Sequence, residues 1–163
     1  MQVVVLGVGN LLMTDEGVGV HAVNALERDW VFPEGVRCVD GGTSTQELLG
    51  DLEDLDQLIV LDAVTSASAP GTLIRLEGAQ VPQAFTTKFS PHQVGIADLL
   101  AMLTFSGHAP KRVLVFGVEP AVLKLGMELS PVVAGRVPEL CAQVIAELRQ
   151  LGLTPTQRLS EVA

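Results

Sequence analysis

Residues 2–30 read QVVVLGVGNLLMTDEGVGVHAVNALERDW, and the way this stretch changes character along its length decides the fold class. Gln2 to Leu6 is an aliphatic, β-branched run, the pattern of a strand buried on both faces. Gly7 and Gly9 then allow a sharp turn, and Asn10 is a residue that hydrogen-bonds its own backbone in turns. Thr14 and Asp15 are helix-capping types, and the spacing of Val18, Ala22, Val23 and Leu26 predicts one buried helical face. A strand, a glycine turn and a helix in that order open an α/β domain.

The pattern then repeats. Val36–Val39 reads as a second strand ending at Asp40-Gly41-Gly42-Thr43, and Leu48, Leu49, Leu52 and Leu55 share a face of the next helix. Gln57–Leu61 is a third strand that ends at Asp62. A βαβαβ order implies parallel strands with helices on both faces. Val64–Pro70 is too short to hold a crossover helix, so Thr72–Leu76 is expected to run antiparallel. Residues 78–91 carry no period and read as a loop. Ser90-Pro91 opens a helix that buries Val94, Ile96, Leu99, Leu100 and Leu103. Arg112–Val118 is a further strand, and a last helix starts at Ser130-Pro131, restarts near Pro138 and ends near Gln150. Residues 1–151 are expected to form a single domain, and 152–163 a frayed tail.

Composition narrows the function. The chain has 163 residues, 48% of them hydrophobic and 18% charged, with a net charge of −9. Three lysines and seven arginines form no cluster, so nucleic acid is excluded as a partner. No apolar run reaches the roughly 18 residues of a membrane span, and no signal-like segment precedes the first strand. Cys38 and Cys141 are isolated in sequence and suggest buried thiols in a reducing compartment, so the expected localisation is cytoplasmic.

Gly7 and Gly9 admit a second reading, a dinucleotide-binding turn. That motif needs a third glycine where Leu12 stands. Asp15 and Glu16 would also compete with a phosphate for the helix N-terminus. More telling is the carboxyl edge of the sheet, where α/β proteins bind ligands. The first strand leads through its turn to Glu16, the second ends at Asp40, the third at Asp62 and the fifth at Glu119, while His92 follows the long loop. Each acid has an ordinary explanation, because Asp often caps a helix. Four acids and a histidine on one edge call for a cation, a basic group or raised pKa values. Glu16, Asp62 and His92 make a nitrogen and oxygen donor set suited to zinc, nickel or manganese. His21, inside the first helix, and His108, in a surface turn, belong to no such set. No serine or cysteine stands with a histidine at a recognisable nucleophile spacing.

GVGNLLMTDEGVGV, DGGT, LIVLDAV, SPHQVG, FGVEP and LSPVV, in this order over residues 2–150, resemble the hydrogenase maturation endopeptidases. The resemblance departs at Thr45, where the family often has glycine. It implies a three-layer α/β/α sandwich around a twisted, mostly parallel five-stranded sheet with one antiparallel strand. It also implies an endopeptidase that clips the C-terminal extension of the nickel–iron hydrogenase large-subunit precursor once nickel is in place. The family's metal ligands fall on Glu16, Asp62 and His92, and a suspected catalytic aspartate falls on Asp40, as in an aspartic-type enzyme. Nickel would be carried by the substrate with no permanent cofactor, although other divalent metals can occupy such a site. The attacking water would be activated either by the metal or by Asp40. The rival readings are a binding module that inspects nickel insertion without cutting, and a nucleotide-binding α/β domain.

Overall fold

The computed structural model describes residues 1–42, 45–81 and 96–159, with the side chains of 45–47 excepted. Strands β1 (Val3–Val8), β3 (Val36–Gly42), β4 (Gln57–Ala63), β5 (Leu73–Glu77) and β6 (Arg112–Val118) form one sheet in the order β3-β1-β4-β6-β5. All neighbours are parallel except β5, which runs antiparallel to β6 from Leu73↔Val118 to Glu77↔Leu114. The short 64–70 link indeed reverses the chain instead of crossing it. β1 lies between β3 and β4, so Val3–Gly7 is paired on both edges, which suits its apolar run.

Strand alternation sends successive side chains to opposite faces, and each face has its own core. On one, Val3, Val5, Ile59, Leu61, Leu114 and Phe116 pack against helix α1 (Val18–Asp29) and against the late helix Val137–Gln150. On the other, Val4, Leu6, Leu58, Val60 and Val115 meet Leu52, Leu55 and helix α2 (Ile96–Ser106). These are the three layers expected. The late helical region starts with a short helix α3 (Pro131–Ala134) and restarts as α4 (Val137–Gln150), with prolines in the first turn of each. Truncating a fully buried member of these cores such as Leu61 would cost about 2–5 kcal/mol.

Two expectations about local structure change. The stretch Thr45–Leu52 winds as a 3-10 helix. The tail is tied back: Thr156–Gln157 (β7) pairs antiparallel with Trp30–Val31 (β2), and Arg158 N donates to Asp29 O at 2.8 Å. At the amino edge of the sheet the buried Glu147 of α4 accepts from Arg112 Nη1 at 2.9 Å and Gln57 Nε2 at 3.2 Å. That network locks α4 to the starts of β4 and β6, leaving the opposite edge for the acids.

Candidate active site at the carboxyl edge of the sheet

The turn after β1 is built on close approaches that only glycine permits. A Cβ on Gly7 would lie 2.5 Å from Gly19 O and 2.6 Å from Val23 Cγ1, so α1 rests directly on the strand. Gly9 has φ 136°, and a Cβ there would run into the carbonyl oxygen of Glu16. Asn10 Oδ1 accepts from Leu12 N at 2.9 Å, closing the turn. The spacing of Gly7, Gly9 and Gly19 thus has a packing origin: it lets the 3-10 turn Thr14–Gly17, which carries Glu16, sit on the end of β1.

Thr14 and Asp15 do not cap the helix. Neither the 3-10 turn nor α1 has a side-chain cap. Asp15 is fully buried and turns to the segment after β6. Its Oδ2 accepts from Ala121 N (2.9 Å), Val122 N (2.8 Å) and Ser130 Oγ (2.8 Å), and its Oδ1 from Ser130 N (2.7 Å). Burial pushes the carboxyl up, but hydrogen bonds from Ser130, Val122 and Ala121 together hold it below the usual carboxylate value. Thr14, at φ 48°, donates from Oγ1 to Val122 O at 2.6 Å, and its amide donates to Gly126 O at 2.8 Å.

Glu119 is likewise engaged. It is 5% exposed, and its Oε2 accepts from Ser66 N at 2.7 Å and Ser66 Oγ at 3.0 Å, anchoring the loop that follows β4. Glu119, one of the acids the sequence places at this edge, and Asp15 thus clasp loops by hydrogen bonds. The partners Ser66 and Ser130 were missed in the sequence. The only sequence signal for them was position: Ser66 stands two residues after LIVLDAV, and Ser130 lies within LSPVV.

Asp62, near the end of β4, and Glu16, on the 3-10 turn over the end of the neighbouring β1, stand at the same carboxyl edge. Burial pushes the Asp62 carboxyl well above the usual carboxylate range. A hydrogen bond from its neighbour's amide, Ala63 N at 2.8 Å, opposes this, and the negative charge of Glu16 adds to the rise. A buried carboxyl with a second acid's charge near it is favoured in its ionised form by a cation. Asp40 stands apart. It is exposed, its Oδ1 accepts from Gly42 N at 3.0 Å, and it pairs in register with Gly7, which pairs on its other side with Leu61. β1 intervenes between β3 and β4, so Asp40 lies two strands from Asp62, roughly 10 Å across the sheet. Cys38 packs with the α1 core and Val39 with the other, so alternation directs Asp40 to the α1 face. The same rule takes Asp62, next after Leu61, to the opposite face. His92, the third expected ligand, lies outside the described residues, as do Ser90 and most of the 78–91 loop.

Thiol chemistry is disfavoured here. Burial pushes Cys38 up to about 12 and Cys141 up to about 11, leaving both essentially protonated at neutral pH. Glu53, Asp54 and His108 also converge, with His108 Nδ1 3.0 Å from Asp54 Oδ1, but in the links leading into β4 and β6. That is the amino edge, away from Glu16 and Asp62. Among the described residues no helix is long and apolar enough to cross a membrane.

Fold and site together define a class: an α/β/α protein whose mostly parallel sheet gathers acidic residues at its carboxyl edge. Residues 20–147 match the family model for hydrogenase maturation protease. The chain is 45% identical over 159 residues to the hydrogenase 2 maturation protease of Escherichia coli K12, covering 97% of each. It is 39% identical to the hydrogenase expression/formation protein HupD of Rhodobacter capsulatus, covering 96% of this chain and 75% of that one. The hydrogenase maturating endopeptidase HybD from E. coli superposes with a TM-score of 0.92 at 44% identity, covering 97% of this chain and 98% of that one. The chain belongs to the hydrogenase maturation protease family and is a peptidase.

Proposed function

We propose that this peptidase removes the C-terminal extension of a nickel–iron hydrogenase large-subunit precursor after nickel insertion, reading the nickel carried by that substrate. The single observation that carries the proposal is the Glu16–Asp62 pair. At the ligand-binding edge the Asp62 carboxyl is pushed up by burial and, to a lesser degree, by the charge of Glu16, so both acids gain when a divalent cation arrives. Glu16, Asp62 and His92 are the residues assigned to hold the nickel. They would complete its coordination and fix the adjoining peptide bond.

Asp40 is assigned the general-base role. Its exposed carboxyl, oriented by the Gly42 amide, is open to a water molecule, and Gly42 beside it, with no side chain, lets a peptide backbone come close. In this reading the carboxylate takes a proton from water as the oxygen attacks the scissile carbonyl. The test separates binding from chemistry. Asp40→Asn should bind nickel-loaded precursor like the parent but cleave it about 10²- to 10⁴-fold more slowly in a single turnover. Glu16→Gln should first weaken the complex. If Asp40→Asn cleaves at the parent rate once bound, the base is elsewhere and the metal-activated route gains.

A further inference from the structure

The 121–130 segment does more than close the fold. Its backbone is zipped to the turn after β1: Gly126 N donates to Leu12 O at 2.8 Å, Thr14 N to Gly126 O at 2.8 Å, and Met13 bridges Gly126. Beneath, the fully buried Asp15 receives Ala121, Val122 and Ser130. Such an anchor is costly to build, since a carboxylate must be desolvated and fully hydrogen-bonded. What it holds in place is apolar. Leu12, Leu123, Leu125 and Met127 are 53%, 43%, 81% and 66% exposed, and all four sit on these two zipped strands of chain.

We propose that this apolar rim is the docking surface for the precursor, seating an apolar segment of its polypeptide next to the scissile bond. The inference rests on the function proposed above. Four observations select this occupant. The rim is continuous with the candidate site, because Glu16 follows directly on Thr14 and Asp15, which hold it. Four side chains expose a few hundred Å², the size of a functional patch, and short of the roughly 800 Å² per partner that a stable dimer buries. A net charge of −9 also opposes pairing with a second copy. Flexible Met and Leu side chains suit a patch that must adapt to an extended chain.

The test compares the parent, the rim variant Leu125→Ser/Met127→Ser, and the control Phe105→Ser, which removes an equally bare apolar side chain, 96% exposed, on α2. Steady-state processing of purified nickel-loaded precursor is followed by mass, with melting temperature and sedimentation in parallel. The rim variant should raise KM at least about tenfold with kcat held within about twofold, the signature of lost uniform binding. Its melting temperature should be unchanged, and the control should behave as the parent. Parent-like KM in the rim variant with cleavage intact overturns the docking surface alone. An equal rise in KM for Phe105→Ser overturns its location. A parent dimer dissociated by the rim substitutions makes a second copy the occupant. Absence of cleavage by the parent itself overturns the proposed function, and the occupant with it.

Discussion

The carbonyl oxygen of Glu16 occupies the space where a side chain on Gly9 would have to begin. The two residues are seven apart, and their contact sets the height of the 3-10 turn over the end of β1. Gly9→Ala must therefore displace Glu16 as well as strain a backbone at φ 136°. Such strain costs on the order of 1–3 kcal/mol, which in a chain of this size lowers Tm by about 2–12 °C. Processing should fall further than stability does, measured at a temperature where the variant is folded. A variant that melts early yet cleaves normally would show that the height of this turn is immaterial to the site.

Asp15 should behave as a structural carboxylate. Asp15→Ala leaves the amides of Ala121, Val122 and Ser130 without their acceptor, at about 1–3 kcal/mol for each group that stays buried. Amide hydrogen exchange at those three positions should accelerate selectively. The pH dependence follows from the direction of its shift. Because the native carboxyl lies below its unfolded value, its stabilisation is complete above about pH 4 and is lost as pH falls through the native value. Unchanged exchange in the alanine variant would mean the 121–130 segment is held by other contacts.

For Asp62 the sign is opposite. Its native carboxyl is raised, so the folded state binds the proton more tightly, and the contribution to stability is present at low pH and lost as pH rises through the raised value. Asp62→Asn removes the ionisable group while keeping its shape. The variant should match the parent in Tm near pH 4 and become the more stable of the two at pH 7, by on the order of 1 kcal/mol, while losing activity. A variant less stable than the parent at pH 7 would mean that the Asp62 charge is already compensated within the protein.

The strands were legible because continuous apolar runs such as Val3–Leu6, Leu58–Leu61 and Val113–Phe116 have one good use, a sheet covered on both faces. The reversal at β5 was legible from the length of the 64–70 link. The roles of Asp15 and Glu119 were not, for a physical reason. A carboxylate before a helix looks like a cap, and what makes Asp15 a clasp is a set of donors at 121–130, more than a hundred residues away. Ser66 and Glu119 are separated by 53 residues in the same way. The tail was misjudged similarly: two residues with no period of their own pair with Trp30–Val31 only once the fold brings them there. The common edge of Glu16 and Asp62 was legible because both follow neighbouring strands. The place of Asp40, two strands away and on the other face, needed the strand order.

The most direct measurement gives the purified protein two forms of one hydrogenase large-subunit precursor, nickel-loaded and nickel-free, and weighs the products. Nickel reading by Glu16 and Asp62 requires a single cut that releases the C-terminal extension from the loaded form only, with no cut of either form by Glu16→Gln/Asp62→Asn. Equal cleavage of both forms, or undiminished cleavage by the double variant, would contradict it.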